Sequence, residues 1–382
     1  MKRGKAWRIV AACAVMVVAM GLSAGFGYWV GKPGGLDIRK YFQSDEQATP
    51  DASESGQPGA TQSQAEPLPD PSMPPPPPIN QETGYRMSGY TARPVDLPFI
   101  TRSEAMGRSI ELDADGGLVY RDPETNEPLY QPVTITQWAI AAHTQYYLTG
   151  NDLWLDLARA SAQKVLDAKT ESDGAYYFPY SYEWVNLEPP EFNFQPPWYS
   201  AMAQGEALSI FTQLAQEFPD EPQWREAADH TFESFLQPVS ASQPWATNIV
   251  DGFAWFEEYV DPDPFEVVNG HIFALIGIYE YALMTADQRA AQLFDAGATT
   301  ALYSLPVIRV PGELSVYCAE TERCVDGEWQ HGSYHRIHIA QAELLEAITG
   351  DPLFGQWASA FISDVPDYGP WWVARLWPGS SQ

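Results

Sequence analysis

The sequence predicts a mainly α protein, an (α/α) toroid or incomplete α/α barrel of about four helical hairpins, with a short β-type segment before them. Apolar residues recur at spacings of three and four after about residue 133, as in amphipathic helices. The helical segments come in pairs joined by short turns, and stacked hairpins curl into a toroid. The expected pairs are 133–148 with 153–168, 200–217 with 222–236, 269–284 with 286–304, and 337–348 with 352–362.

A repeated turn motif supports this pairing. The motif reads LTGNDL at 148–153 and ITGDPL at 348–353. Glycine is suited to end a helix in the left-handed conformation, and Asn or Asp is suited to cap the helix that follows. Short β-type segments are expected ahead of the helices, at 88–92 and 117–121.

Residues 1–30 are predicted to be a single-pass membrane anchor. Basic residues precede an apolar run from 9 to 30 that is long enough to cross a bilayer. This charge asymmetry predicts that the N-terminus lies in the cytoplasm and the rest of the chain outside the cell membrane. A cleaved signal peptide is the alternative. Residues 31–85 are rich in Pro, Ser and acidic residues and are expected to form a disordered linker, and 86–378 a globular domain.

The net charge of −29 excludes nucleic acid as a partner, because only two lysines follow residue 85. The same charge disfavours a heavily sulfated polymer, whereas a neutral or lightly charged glycan is not repelled as strongly. Cys318 and Cys324 lie six positions apart in a segment expected outside the cytoplasm, where a local disulfide forms. The domain holds no further cysteine that would complete a zinc site, and no metal is expected.

Four motifs carry most of the functional signal. They are WYSAMAQGEAL at 198–208, WFEEY at 255–259, VNGHIFALIGIY at 268–279 and SYHRIHIAQAELL at 333–345. In this order they resemble the C-terminal helical domain of the D-glucuronyl C5-epimerases, and the resemblance runs from about residue 131 to 361. It implies an enzyme that epimerises uronic acid residues of an envelope or extracellular polysaccharide. Proton exchange requires neither hydride nor metal, so no cofactor is expected.

Epimerisation at C5 removes a hydrogen beside a carboxylate and returns a proton to the opposite face. The site therefore needs a base, an acid across the ring, and groups that stabilise an enediolate-like intermediate. On the residues alone, two adjacent glutamates could equally decorate a surface. The resemblance assigns the base to Glu258, the opposite acid or base to Tyr334, and the polarising groups to Tyr259 and Tyr317. The residues expected to position the sugar are Tyr199, Gln204 and Asn269.

His335 and His338 follow Tyr334, one helical turn apart. Such a pair can bind a metal, but the sequence offers no third and fourth ligand at a readable spacing. The alternative is that both histidines are buried and orient a tyrosine. We include both among the substrate-binding candidates.

The segment SVYCAE at 315–320 departs from the family pattern. The family has an arginine three residues after the tyrosine, where it binds the substrate carboxylate, and this chain has Glu320. Either Arg323 takes over that task or the natural substrate differs. Two rival functions stay open: a polysaccharide lyase, which forms the same carbanion and expels the C4 substituent, and a non-catalytic glycan-binding module.

Overall fold

A computed structural model describes residues 66–95, 111–122, 125–186, 192–261, 263–320 and 330–368. The predicted membrane anchor and the linker up to residue 65 lie outside these residues, as do Arg323 and Cys324. Within the described part of the chain, no helix is both long and apolar enough to span a bilayer.

Eight α-helices in the described ranges form four hairpins. The odd-numbered helices α1, α3, α5 and α7 pack on one another in that order and form an inner layer, while each even-numbered helix packs outside its partner. The predicted (α/α) toroid fold is thereby confirmed. The helices are α1 (Pro132–Thr149), α2 (Asp152–Asp167), α3 (Ala201–Glu217), α4 (Pro222–Glu233), α5 (Val268–Thr285), α6 (Gln288–Ile308), α7 (Gly332–Thr349) and α8 (Pro352–Asp364).

The repeated turn motif has the expected geometry. Gly150 and Gly350 end α1 and α7 with φ of 66° and 76°. Asn151 and Asp351 then cap α2 and α8 by accepting hydrogen bonds from the backbone two residues ahead. Helix α7 starts earlier than predicted, at Gly332 rather than at residue 337, because His331 caps it.

Short antiparallel strands lie before and between the hairpins. β1 (Glu111–Leu112), β2 (Leu118–Arg121) and β3 (Pro128–Leu129) form a small sheet, which includes most of the predicted segment 117–121. Two hairpins precede α3, namely β4 (Thr170–Ser172) with β5 (Ala175–Tyr177) and β6 (Trp184–Asn186) with β7 (Phe192–Phe194). The hairpin of β8 (Thr247–Val250) and β9 (Phe253–Phe256) precedes α5.

Residues 66–95, here called the N-terminal strap, pack on the outer helices without regular structure. The expected strand at 88–92 is wrong, because the N–H groups of Ser88, Gly89 and Tyr90 donate to the Asp295 carboxylate on α6 instead of to another strand. Buried Arg309 binds the strap through the Leu68 carbonyl.

The expectation of a free linker is also wrong for residues 66–85. Arg309 forms ion pairs with Asp364 of α8 at 2.7 Å and with Asp70 of the strap at 2.6 Å. The Trp357 indole donates to the Met73 sulfur. Proline-rich composition reduces the entropy lost when such a segment is ordered, and apolar strap residues such as Met73, Tyr85 and Tyr90 also pack against the core.

Helices α3 and α5 approach each other with their backbones in contact. A Cβ added at Gly277 would lie 2.0 Å from the Gly205 carbonyl oxygen, and one at Gly205 would lie 2.2 Å from Cα of Ala274. Only glycine is compatible with this crossing. Further along the same two helices, Ser209 and Gln213 donate hydrogen bonds to buried Glu280. Burial raises the pKa of Glu280 to about 8, so this contact carries no charge at neutral pH.

Candidate active site

The polar residues of the candidate site lie where loops enter the N-terminal ends of the inner helices. Glu258 and Tyr259 follow β9 and precede α5, Tyr317 lies between α6 and α7, and Tyr334 is the third residue of α7. These four residues, predicted as catalytic, come from two loops and one helix. The structure brings them together around Tyr317.

Tyr317 is the centre of this cluster. Its hydroxyl donates a hydrogen bond of 3.0 Å to Oε1 of Glu258 and lies 3.4 Å from the Tyr259 hydroxyl. Its ring lies 4.6 Å from the ring of Tyr334, centroid to centroid. A carboxylate and three phenols therefore share one site although 76 positions separate Glu258 from Tyr334.

The carboxylate of Glu258 rests on the first turn of α5. A Cβ at Gly270, the third residue of that helix, would lie 2.2 Å from Oε2 of Glu258 and 2.6 Å from its Cβ. Position 270 must therefore be glycine for Glu258 to occupy its place. The N-terminal turn of a helix carries partial positive charge, which stabilises an anion lying there.

The phenols near Glu258 stay protonated at neutral pH. Burial, together with the negative charge of Glu258, raises the pKa of Tyr259 and of Tyr317 well above the usual range. The pKa of Tyr180 is raised in the same way, first by burial and then by neighbouring acidic groups that include Glu206 and Glu258. These tyrosines can donate hydrogen bonds to a developing negative charge.

An aromatic wall lines one side of the cluster. Tyr180 and Trp198 stack with ring centroids 3.7 Å apart, and Phe194 stacks on Tyr259 at 5.7 Å. Phe265 packs on Tyr259 at 5.4 Å. These buried rings pack on one another and fix the position of Tyr259 beside Glu258.

Gln204 does not fit its predicted role as a substrate-binding residue. Its Oε1 accepts the N–H of Phe178 at 3.0 Å, and its Nε2 donates to the Tyr176 carbonyl and to Ser234 at 2.7 and 2.9 Å. The side chain is 1% exposed. Its hydrogen-bonding groups are used within the protein, so the prediction is wrong for this residue.

The two histidines after Tyr334 agree with the alternative of buried histidines that orient a tyrosine, and not with a substrate-binding role. Both are fully buried, and both contact Ser315, which lies two residues before Tyr317. Burial lowers the pKa of His335 and lowers that of His338 to about 3, so neither is charged at neutral pH. They support the loop that carries Tyr317.

Two other predicted sugar-binding residues remain candidates. Tyr199 is partly exposed, and its ring packs edge-on against Tyr177 at 5.7 Å. Asn269 is the residue before Gly270, and within the described structure its buried Oδ1 has no hydrogen-bond partner. Its backbone carbonyl accepts from Gln341 of α7 at 2.9 Å. The prediction for Arg323 falls outside the described residues.

The surroundings of Glu320 are acidic. The backbone N–H of Ala319 donates to the Glu266 carbonyl, and burial together with the charge of Glu320 raises the pKa of the Glu266 carboxyl to about 7. Glu257 is fully buried and accepts the N–H of Glu266 at 3.2 Å. The adjacent glutamates thus differ, because Glu257 holds the loop while Glu258 faces the tyrosines.

Cys318, next to Tyr317, is disulfide-bonded. Its partner lies outside the described residues, and pairing with Cys324 stays a prediction. Nowhere in the described ranges do three His, Cys, Asp or Glu side chains group closely enough to hold a metal ion.

Sequence reasoning missed several residues of the site. Tyr180 lies in the run YYFPYSY at 176–182, whose density of tyrosine was the available signal. Glu206 is 4% exposed and accepts hydrogen bonds from Thr136 and Gln137 of α1. Gly270 and His271 belong to the motif at 268–279. The sequence does not show that they contact the loop of Glu258.

Fold and site together define an α/α-toroid protein with one carboxylate among tyrosines at the N-terminal ends of its inner helices. A family model described as the D-glucuronyl C5-epimerase C-terminus matches residues 170–363. The chain belongs to this family.

Two curated relatives are similar over part of their length. The D-glucuronyl C5-epimerase of Caenorhabditis elegans is 26% identical over 180 residues, which cover 44% of this chain and 29% of that protein. An uncharacterised protein of Methanocaldococcus jannaschii is 27% identical over 171 residues, which cover 44% of this chain and 53% of the relative. The chain therefore spans less than two thirds of either relative.

Solved structures with a similar arrangement include cellobiose 2-epimerase from Bacillus thermoamylovorans. That similarity has a TM-score of 0.47 at 14% identity and covers 70% of this chain and 68% of the other. A sugar epimerase from a ruminal bacterium has a TM-score of 0.47 at 11% identity and covers 69% and 67%.

Proposed function

We propose that this protein epimerises uronic acid residues at C5 in an envelope or extracellular polysaccharide. The observation that carries the proposal is the hydrogen bond from Tyr317 to Glu258, within a cluster that also contains Tyr259 and Tyr334. One carboxylate beside several phenols supplies both the base and the acid that C5 exchange needs. Membership of the epimerase family supports this assignment.

In the proposed reaction, Glu258 accepts the C5 hydrogen as a proton, and the electron pair spreads into the sugar carboxylate as an enediolate. Tyr317 and Tyr259 donate hydrogen bonds where negative charge increases. Tyr334 delivers its hydroxyl proton to C5 from the opposite face. Glu258 then releases its proton to water, and Tyr334 regains one, so hydrogen from solvent enters the product.

The acidic surroundings of Glu320 bear on the substrate. Glu320 stands where the family resemblance leads us to expect an arginine for the sugar carboxylate, and its charge contributes to the raised pKa of Glu266. Together with the net charge of −29, this favours a polymer of low charge density over a heavily sulfated one. Membrane attachment through residues 1–30, with the domain outside the cytoplasm, remains part of the proposal.

The test is deuterium incorporation at C5 in heavy water. The full-length chain is incubated with polymers containing glucuronate, mannuronate or galacturonate, each with and without sulfate, and C5 exchange is read by NMR. We expect exchange in one unsulfated polymer. Glu258→Gln and Tyr334→Phe should lower the rate by about a hundredfold or more while glycan binding persists.

Two exposed residues provide matched controls. Tyr147→Phe, on a tyrosine of α1 that is 52% exposed, and Glu171→Gln, on exposed β4, should leave the exchange rate unchanged. Exchange at the parent rate in both Glu258→Gln and Tyr334→Phe would refute the proposed roles. An unsaturated uronate detected by absorbance would identify a lyase.

The second candidate is a non-catalytic glycan-binding module, and Glu320 in place of the family arginine is the observation that favours it. Binding of a uronate polymer without C5 exchange in any member of the panel would support this candidate.

A further inference from the structure

Three inner helices carry a buried polar side chain at the same position. Gln204, His271 and His335 are each the fourth residue of their helix, in α3, α5 and α7 respectively. None of the three is more than 1% exposed. A polar group in such a place needs hydrogen-bond partners, and the partners are equivalent in all three helices.

His271 connects the loop that enters α5 with the outer helix α6. Its Nδ1 accepts the backbone N–H of Phe256 at 3.0 Å, and its Nε2 lies 2.9 Å from the Gly297 carbonyl. An N–H can only donate and a carbonyl can only accept, so the imidazole is neutral with its proton on Nε2.

His335 makes the same pair of contacts one repeat later. Its Nδ1 accepts the backbone N–H of Ser315 at 2.9 Å, and its Nε2 donates to the Phe361 carbonyl of α8 at 3.1 Å. Gln204 makes a related pair of contacts one repeat earlier, with a serine hydroxyl in place of the outer-helix carbonyl. It accepts the N–H of Phe178 and donates to Ser234, which follows outer helix α4.

A site residue stands two positions after each of these held amides. Tyr180 follows Phe178, Glu258 follows Phe256, and Tyr317 follows Ser315. Because the bound amide and the site residue are only two positions apart, few backbone dihedrals between them can vary. The amide contact therefore restricts where the side chain of the site residue can lie. The position of each side chain is therefore set by a contact outside the cleft.

We propose that Gln204, His271 and His335 are positioning residues, equivalent by the internal repeat of the toroid, which fix the loops carrying Tyr180, Glu258 and Tyr317 so that the three groups converge. This inference rests on the proposed function, because it takes that convergence to be the place of proton transfer. Since glutamine does the task in α3, glutamine can replace histidine in α5 and α7.

The test compares two replacements at each histidine. His271→Gln and His335→Gln keep an acceptor and a donor, whereas His271→Leu and His335→Leu keep similar volume without either. We expect the Gln variants to retain kcat within about threefold and the Leu variants to lose about tenfold or more in kcat with little change in KM, because small displacements of catalytic groups are costly. All variants are compared at a temperature where circular dichroism shows them folded.

A second readout does not depend on activity. The amides of Phe256 and Ser315 should exchange with solvent slowly in the parent and in the Gln variants, and about tenfold faster in the corresponding Leu variants. His143→Leu serves as a control, since His143 is a buried histidine of α1 whose ring faces Glu217 rather than a site loop. Its kcat should equal that of the parent.

The outcomes separate the two proposals. Leu variants with parental kcat and amide exchange would overturn the positioning role, and Gln variants as impaired as the Leu variants would overturn the equivalence with Gln204. If the parent shows no C5 exchange with any polymer, the proposed function fails, and amide exchange still decides whether these residues hold their loops.

Discussion

The loops at the cleft and the N-terminal strap are both held by buried side chains that accept backbone N–H groups, but the acceptors differ in charge. In the strap, the Asp295 carboxylate accepts from three consecutive residues, and Arg309 adds an ion pair with Asp364. On the side of the site, the acceptors of the Phe256 and Ser315 N–H groups are His271 and His335, which burial keeps neutral by lowering their pKa, and Glu257 accepts a further N–H within the Glu258 loop.

This difference follows from what each region must do. A second charge next to Glu258 would change the proton affinity of the proposed base, because charges interact strongly where water is excluded. A neutral imidazole or amide fixes the loop without that effect. On the outer helices no proton transfer is at stake, and charged groups can hold the strap.

Loss of Arg309 should have the largest effect on stability. Arg309→Met leaves Asp364 buried without its cation, and removing one partner of a buried pair typically costs about 3–5 kcal/mol. Urea denaturation measures the loss, and the kcat of the folded variant should equal that of the parent. Arg225→Met breaks an exposed pair with Asp229 and should cost at most about 1 kcal/mol. Equal losses in the two variants would contradict the role assigned to the charged strap contacts.

Because His271 is neutral and buried in the folded protein, we expect the free energy of unfolding to decrease in acid. Burial lowers the pKa of His271 to about 4, below its ordinary value of about 6.5. Its contribution to stability is therefore complete above pH 6.5 and is lost as the pH falls towards 4, because the unfolded chain binds the proton first. Between these values the parent should lose about 3 kcal/mol more than His271→Gln. Parallel stability curves for the two proteins would contradict a neutral His271.

The disulfide at Cys318 should give the Tyr317 loop a further, covalent constraint. If Cys324 is the partner, Cys324→Ser should lower stability by about 2 kcal/mol, as expected for closure of a short loop. Peptide mapping without reduction identifies the partner, and Cys13→Ser is the control that should change nothing. Two free thiols at 318 and 324 under oxidising conditions would rule the pairing out.

Substitution of Gly270 should change stability least among these variants, but it should clearly lower activity. In Gly270→Ala, helix propensity gains up to about 1 kcal/mol and the clash with Glu258 costs a comparable amount. The exchange rate should fall about tenfold or more, since the carboxylate must move. Gly355→Ala, on outer helix α8, is the matched control, because its Cβ would meet only the carboxylate end of Glu346 on α7. Equal rates in both variants would show that Glu258 tolerates displacement.

The repeating helices were predictable because each one buries a regular face, and periodicity in sequence records that face directly. The convergence of Glu258, Tyr259, Tyr317 and Tyr334 was expected from family motifs and from toroid closure. Periodicity alone would not have selected Glu258 over its neighbour Glu257, because both are glutamates in one loop. Their difference arises from contacts that the sequence does not show: Glu257 accepts the N–H of Glu266, whereas Glu258 packs on Gly270 and accepts from Tyr317.

The errors have a common physical origin. Gln204, His335 and His338 lie on inner helices near the cleft, and sequence does not tell whether such a side chain turns to the cleft or to the backbone of a loop. The strap was missed because its contacts, both polar and apolar, are distant in sequence: Arg309 and Asp70 are 239 positions apart. The amino-acid composition of the strap indicates how much apolar surface it can bury. It does not indicate that a distant arginine, Arg309, binds a carbonyl of the strap.

The crossing of Gly205 and Gly277 has a consequence for motion. Because the two backbones touch there and Glu280 joins the same helices further along, α3 and α5 have no room to slide or rotate against each other. Helices α3 and α5 therefore behave as one rigid unit, and this unit holds both the Tyr180 loop and the Glu258 loop. If the proposed polymer enters between the inner helices, we expect α1 or α7 to move relative to this pair, and Tyr334 on α7 would then move relative to Glu258.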